Sequence, residues 1–509
     1  MAEKLGRVIK IFCVVLVFVF AIFLRIWNLN QMGRTWDELF YVNQGHGLID
    51  IISKGDFANS LWYTDPDPPA FAKYLYGIAS HLDANKIIPC ENELCSYDFT
   101  ASRLVSVLFS SLTILLVVLI GWEYVSFFVG VLAGVILSTL PIFLGLSQLV
   151  TIESILIFFF TSCVYSFLHL LKTFSIKNTV ICGILLGLAI GTKYTNIILV
   201  PLFMWIYFIW TKYKASKDHK KLFNNKLLLL VPISIITFFV IWPIPWFHLP
   251  QVWEKIYSVR FSEVTSHPSP EVFFGRLMPV PIPYYFVYLL ITTPFLIFLL
   301  FLGGLKKISD DKKWILYVFV AWFLLPFVQS FINMKQHGIR YIIEIYVPLS
   351  IISAIGFNYF IEKFKVKKLK LVFLSFLVLY MLAILKNISP YYLDYFNIVV
   401  GGAKGVYQSR FFQLGWWGQG IREAGLYISN NARKGSKIGL AISPATVMPQ
   451  LKNFDIKQYR EDDVYDYIVV NHYNILREGF DDSKIKKAYN AIYIVWADGA
   501  KLVIVYKKK

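Results

Sequence analysis

Two adjacent carboxylates, Asp37 and Glu38, stand some ten residues beyond the first apolar stretch, in Gly33-Arg34-Thr35-Trp36-Asp37-Glu38-Leu39-Phe40-Tyr41. A carboxylate held at a membrane face can act as a general base, taking the proton from an acceptor hydroxyl or amine as a new bond forms. The plainer alternative is that one of them caps a helix starting at Leu39, where aspartate is favoured. A second set is cationic: Lys73, Arg103, Lys193, Lys335, His337 and Arg340. Converging cations suit a phosphate or pyrophosphate that stays in place while a bond to it breaks, arginine offering a bidentate fork and lysine a point charge. Each alone could equally snorkel to lipid headgroups, so the set is the signal rather than any member.

Supporting positions are Glu153, Asp67 and Tyr341. Glu153, in Leu149-Val150-Thr151-Ile152-Glu153-Ser154, could pair with a cation or favour the positive end of a helix dipole. Asp67 lies in Asp65-Pro66-Asp67-Pro68-Pro69, which also reads as an ordinary turn. No Cys/His pattern at metal-ligand spacing is present, nor a Gly-rich nucleotide loop. The expectation is therefore that no cofactor is required, a divalent metal having no support in the sequence, and that a lipid-linked donor fits better than a nucleotide.

The elements that must hold these residues are membrane spans. Of 509 residues, 57% are hydrophobic and only 16% charged, against about 25% charged in soluble domains. Apolar runs at approximately 8–27, 102–121, 125–142, 153–171, 178–192, 195–211, 227–247, 284–303, 314–332, 341–360 and 369–387 predict a polytopic α-helical membrane protein of about eleven transmembrane helices. The pair 178–211 is short and is expected to be partly re-entrant around Gly191-Thr192-Lys193-Tyr194. The net charge of +18 would suit nucleic acid, but much of it sits in short loops between spans. Lys172 and Lys177, Lys212 to Lys226, Lys306 to Lys313 and Lys363 to Lys370 all fall on one side by alternation. The positive-inside rule makes that side cytoplasmic, together with the N-terminus, and removes the case for a nucleic-acid partner. The first span reads as an uncleaved signal-anchor.

Residues 1–387 then form a transmembrane domain whose first loop, 28–100, faces outward at the plasma membrane. That loop is far longer than most helix connections and too aromatic to be disordered. Residues 388–509 form a small extracytoplasmic α/β domain, with a helix over Trp417–Asn431 and strands at Lys437–Ile442, Tyr465–Asn471, Ala491–Trp496 and Lys501–Tyr506. The last two strands flank the hairpin signal Ala497-Asp498-Gly499-Ala500. Cys90 and Cys95 could form a disulfide if their loop faces an oxidising compartment.

In order along the chain, Asp37-Glu38, Pro68-Pro69 with Lys73, Ser102-Arg103-Leu104, Gly191-Thr192-Lys193-Tyr194, His337-Gly338-Ile339-Arg340-Tyr341 and Tyr391-Tyr392-Leu393 through Gly401-Gly402 resemble the signature of one group. These are the membrane glycosyltransferases related to protein O-mannosyltransferases and aminoarabinose transferases, which have the C-type fold. The resemblance implies transfer of a sugar from a polyprenyl-phosphate carrier to an extracytoplasmic protein, lipid or glycan, with inversion at the anomeric carbon. Asp37 would be the base, Glu38 its neighbour, and Arg103, Lys193 and Arg340 would lie near the donor phosphate. Two positions depart from the pattern. Asp67 stands where relatives often have His, and Trp416-Trp417-Gly418-Gln419 replaces Asp-Trp-Gly-Gln, a change expected to touch the C-terminal domain rather than the chemistry. A transporter of lipid-linked sugars, or an assembly subunit, are the alternatives. The first would need inverted repeats and midplane sites, and the second would leave the two carboxylates idle.

Overall fold

The computed structural model describes residues 2–83, 99–214, 225–258, 270–331, 338–441, 449–451, 453–477 and 479–509. Cys90, Cys95, Lys335 and His337 lie outside the described residues. The eleven apolar runs are all helical at their cores. Among the described residues, six helices are long and apolar enough to cross a bilayer: Gly6–Ile26, Thr100–Tyr124, Ile152–Thr173, Tyr194–Tyr213, Gly338–Glu362 and Lys367–Ile388. Two more runs are bent pairs, Phe127–Thr139 with Pro141–Ser147 at 68° and Tyr284–Thr292 with Phe295–Asp311 at 113°. Both bends fall at a proline, Pro141 or Pro294, whose ring and missing N–H interrupt the helical ladder. Ile176–Thr192, Asn225–Ile241 and Trp314–Ser330 are apolar but shorter. The chain is an α-helical integral membrane protein with a small C-terminal sheet domain.

The helices that matter for the site come early. They are α1 (Ala2–Ile26), α2 (Trp36–Ser53), α3 (Leu61–Thr64), α4 (Ala70–Ser80), α5 (Thr100–Tyr124), α6 (Phe127–Thr139), α7 (Pro141–Ser147), α8 (Ile152–Thr173) and α9 (Ile176–Thr192). Residues 27–83, the described part of the stretch between the first two spans, are thus folded: α2 and α4 pack side by side. Their backbones meet at two glycines. A Cβ on Gly45 would come within 2.3 Å of the Lys73 carbonyl oxygen, and one on Gly77 within 2.1 Å of the Gly45 oxygen. Only hydrogen fits at that crossing.

In the C-terminal domain, β3 (Lys437–Ala441), β4 (Asp455–Gln458), β5 (Tyr467–Asn471), β6 (Tyr489–Ala497) and β7 (Ala500–Lys508) follow a short hairpin, β1 (Glu271–Phe273) with β2 (Arg276–Met278), that precedes the Tyr284–Thr292 helix. The five-stranded sheet has the order β4-β3-β5-β7-β6, with β3 parallel to β4 and β5 and the remaining pairs antiparallel. The β6–β7 turn pairs Ala497 with Ala500, and Asp498 and Gly499 both have positive φ, 42° and 79°, as a tight hairpin turn of this hand requires. β4 escaped the sequence reading because it is four residues long, at the sheet edge, with one half-buried apolar side chain. The helix expected from Trp417 starts only at Ile421. Gly415, Gly418 and Gly420, at φ 67°, 89° and 84°, hold the preceding residues in turns instead.

Candidate active site

α2 begins at Trp36 rather than Leu39, with Thr35 as its N-cap. Glu38 occupies the third helical position and reaches back, its Oε2 accepting the Thr35 N–H at 2.8 Å. This is half of a capping box, and the carboxylate goes on to do more. Oε1 accepts the Val150 N–H at 2.9 Å, while the Arg103 guanidinium clamps both oxygens, Nε to Oε1 and Nη2 to Oε2, each at 2.8 Å. Arg103 also donates through Nη1 to the Leu29 carbonyl at 2.8 Å and Asn30 Oδ1 at 3.2 Å, and through Nη2 to the Gly33 carbonyl. All five guanidinium N–H donors are therefore used. Glu38 is 0% exposed and Arg103 2%.

These two residues correct the sequence reading. Glu38 was expected beside the chemistry and Arg103 at a donor phosphate. They are instead a buried, saturated ion pair that ties the turn after α1 to α5 and to the segment before α8. Neither has a lone pair or a proton left to offer.

Asp37, one position earlier on α2, points elsewhere. Its side chain is 31% exposed, and its Oδ2 accepts from Arg340 Nη2 at 2.8 Å. Arg340, 3% exposed, turns its Nε to Glu153 Oε1 at 2.8 Å. Glu153 opens α8, and its second oxygen, Oε2, is buried without a hydrogen-bond partner among the described residues. The result is an Asp37–Arg340–Glu153 relay in which one guanidinium is fixed between two carboxylates contributed by different elements. Arg340 Nη1 makes no protein hydrogen bond among the described residues.

Of the other candidate cations among the described residues, Lys193 lies against this relay and Lys73 beside the Asp65–Pro69 turn. Lys193 Nζ lies 5.2 Å from the centre of the Tyr341 ring, which Arg340 also faces at 5.5 Å, and Lys193 interacts electrostatically with Glu153 and Glu344. Lys73, on α4, donates to the Asp65 carbonyl at 2.6 Å and lies 5.3 Å over the Phe40 ring, one turn along α2 from Asp37. Burial pulls its amine down to about 8 against the raising effect of Asp65 and Asp67. The Asp65–Pro69 segment is braced from both sides: Gln44 donates to Asp65 Oδ2 at 2.9 Å, and the Tyr194 hydroxyl to the Pro66 carbonyl at 2.9 Å. Asp67 is half-buried at that turn. Tyr41 lines the same region, its hydroxyl pushed well up by burial and by the nearby Asp37 and Glu153.

One participant was missed. Trp417 lies with its ring 4.1 Å from the Arg340 guanidinium carbon and is itself fully buried, stacked on Trp416 at 4.9 Å. The Trp416-Trp417 departure was assigned to the C-terminal domain alone, yet it caps the central cation of the site. The available signal was the run Gly415-Trp416-Trp417-Gly418-Gln419-Gly420, a tight glycine-flanked turn that presents aromatics.

Comparisons with known proteins bear on the architecture just described. Over nearly its whole length the chain superposes on ArnT from Cupriavidus metallidurans bound to undecaprenyl phosphate, with a TM-score of 0.50, 13% identity and 97% of each chain covered. The apo form of that protein gives 0.50 at 14% identity, covering 99% of this chain and 98% of that one. The oligosaccharyltransferase of Archaeoglobus fulgidus tethered to an acceptor peptide gives 0.51 at 12% identity, covering 98% of this chain and 74% of the other.

The chain has the C-type glycosyltransferase fold.

Residues 87–242 match the sequence family described as dolichyl-phosphate-mannose-protein mannosyltransferase. No curated protein sequence matches the chain. In this C-type fold the matched stretch carries Arg103, Glu153 and Lys193, whereas Asp37, Lys73 and Arg340 lie outside it.

Proposed function

We propose that the protein is a membrane glycosyltransferase that moves a sugar from a polyprenyl-phosphate carrier to an acceptor on the extracytoplasmic side, with Asp37 as general base. The observation that carries this reading is the Asp37–Arg340–Glu153 relay: a half-exposed carboxylate locked in orientation by a buried guanidinium. Glu153 holds Arg340 from behind, so Arg340 can orient Asp37 without being drawn away by it. The free Nη1 of Arg340, with Lys193 and Lys73, supplies positive charge for a phosphate that gains charge as the anomeric bond breaks. The acceptor approaches the exposed side of Asp37, loses its proton there and attacks the sugar from the face opposite the phosphate, which inverts the anomeric centre.

The carrier class is supported by the C-type relatives, one of which is bound to undecaprenyl phosphate. Another holds an acceptor peptide, and protein, lipid and glycan acceptors all suit the reading. Donor cleavage needs no metal in this scheme. The positive-inside rule, applied to the lysine-rich short loops of the sequence, supports an N-terminus in the cytoplasm and a site and sheet domain outside. The test is to supply purified protein in lipid nanodiscs with labelled polyprenyl-phosphate hexoses and pentoses together with mixed acceptors. Acceptor-dependent release of polyprenyl phosphate is the expected result. Movement of intact donor between leaflets without cleavage would replace this reading with a transporter.

A further inference from the structure

Past the Gly45–Gly77 crossing, α2 and α4 bring together three side chains that the chemistry above does not use. His46 and Asp50 lie one turn apart on α2, and His81 caps the C-terminus of α4. The two imidazoles stack with centres 3.9 Å apart, and Asp50 faces both: His46 Nε2 is 3.9 Å from Oδ2 and His81 Nε2 is 3.7 Å from Oδ1. These separations are too long for hydrogen bonds. They are close to the ~3.4 Å between neighbouring ligand atoms of a tetrahedral ion with bonds near 2.0–2.1 Å. One donor atom from each of the three residues lies within 4.8 Å of the others.

The hydrogen-bond network settles which nitrogen of His46 is available. Ser80 Oγ donates its only proton to the Gly77 carbonyl at 2.6 Å. It must therefore accept at its 2.9 Å contact with His46 Nδ1. That fixes the proton on Nδ1 and leaves Nε2, the atom facing Asp50 and His81, with its lone pair outward. Metal-binding histidines are commonly oriented by such a contact to the other ring nitrogen. The side chains are 28%, 47% and 36% exposed for His46, Asp50 and His81, so an ion can enter from solvent and keep water in its remaining positions.

We propose that His46, Asp50 and His81 bind a divalent ion of the zinc class, which staples the C-terminal half of α2 to the end of α4. Two imidazoles and one carboxylate select a borderline metal over magnesium or calcium, which favour all-oxygen shells. His46 is nine residues beyond Asp37, about 13 Å along the helix at 1.5 Å per residue. The ion is thus a brace on the loop that carries Asp37 and Lys73, not a participant in the reaction, and its presence does not depend on what the reaction is.

Cobalt is the probe, because its visible absorption reports nitrogen and oxygen ligands directly. Untagged, chelator-treated protein is titrated with Co2+ and then with Zn2+, and its melting temperature is followed with and without Zn2+. One equivalent of Co2+ displaced by Zn2+, with a higher melting temperature on loading, is expected. His81→Ala, on the surface, should keep the metal-free melting temperature and lose the absorption and the stabilisation. Ser80→Ala should weaken binding by about tenfold, as loss of an orienting partner does. Absence of binding by the native chain, or unchanged affinity and stoichiometry in both His81→Ala and His46→Ala, would overturn the assignment.

Discussion

Asp37 and Glu38 are neighbours in sequence and face different worlds. About 100° of helical rotation separates them, enough to send Glu38 into a buried clamp and leave Asp37 half in solvent. The residue types were legible from the sequence, because carboxylates and cations recur at one end of the apolar runs. Their pairing was not, since no spacing rule tells which of several distant arginines a given carboxylate will meet. Removing one partner of a buried pair leaves an uncompensated charge and costs about 3–5 kcal/mol. Glu38→Gln should accordingly lower the melting temperature sharply and reduce folded yield, with Arg103→Met behaving alike. A Glu38→Gln protein of native stability but no turnover would return Glu38 to the chemistry.

Lys73 gives a pH signature at the same scale. Burial lowers its amine to about 8, so the charge is present at pH 7 and mostly gone at pH 9. If that charge helps hold a phosphodiester, donor affinity falls as pH rises through about 8. Lys73→Arg keeps its charge across that range and should flatten the decline. The check is donor affinity measured between pH 6.5 and 9.5, in which identical profiles for both proteins would remove Lys73 from donor binding.

At the scale of elements, the eleven apolar runs foretold the helices because a span needs a long apolar stretch wherever it sits. The sequence reading took the runs at 125–142 and 284–303 as plain spans, but Pro141 and Pro294 bend both. Proline inside an apolar run signals a bend without giving its angle. The packing of α2 on α4 was invisible beforehand, since Gly45 and Gly77 are thirty-two residues apart and gain meaning only when their backbones touch. Gly77→Ala would place a methyl carbon 2.1 Å from the Gly45 oxygen and force the helices apart. Lys73 and Asp37, carried on those two helices, would shift relative to each other. The expected outcome is a lower melting temperature together with reduced turnover, whereas Ala at Gly55, which has no neighbour within 4 Å but sits at positive φ, should cost stability modestly and leave turnover alone.

At the scale of the whole molecule, the site is assembled from both halves. α2, α8 and the segment before the Tyr346–Glu362 helix supply the charges, and the turn after residue 415 lays Trp417 over Arg340. For the membrane half, the residue types could be read from the sequence but not their pairing. The contribution of the C-terminal half could not, because a tryptophan in a glycine turn reads as local structure until its partner is known. A cation–π contact of this kind is worth about 0.5–2 kcal/mol. Trp417→Ala should slow turnover by about two- to thirtyfold on the same scale, with Trp417→Phe in between. Equal rates in all three would make the ring mere packing.

In the proposed reaction Asp37 is the group that takes the acceptor proton. Its most direct test is transfer from labelled polyprenyl-phosphate sugar by wild type and Asp37→Asn, with donor affinity measured in the same preparations. A general base contributes roughly 10²–10⁴-fold, so the asparagine variant should lose at least about a hundredfold in rate while binding donor as before. Turnover within a few-fold of wild type would contradict the account.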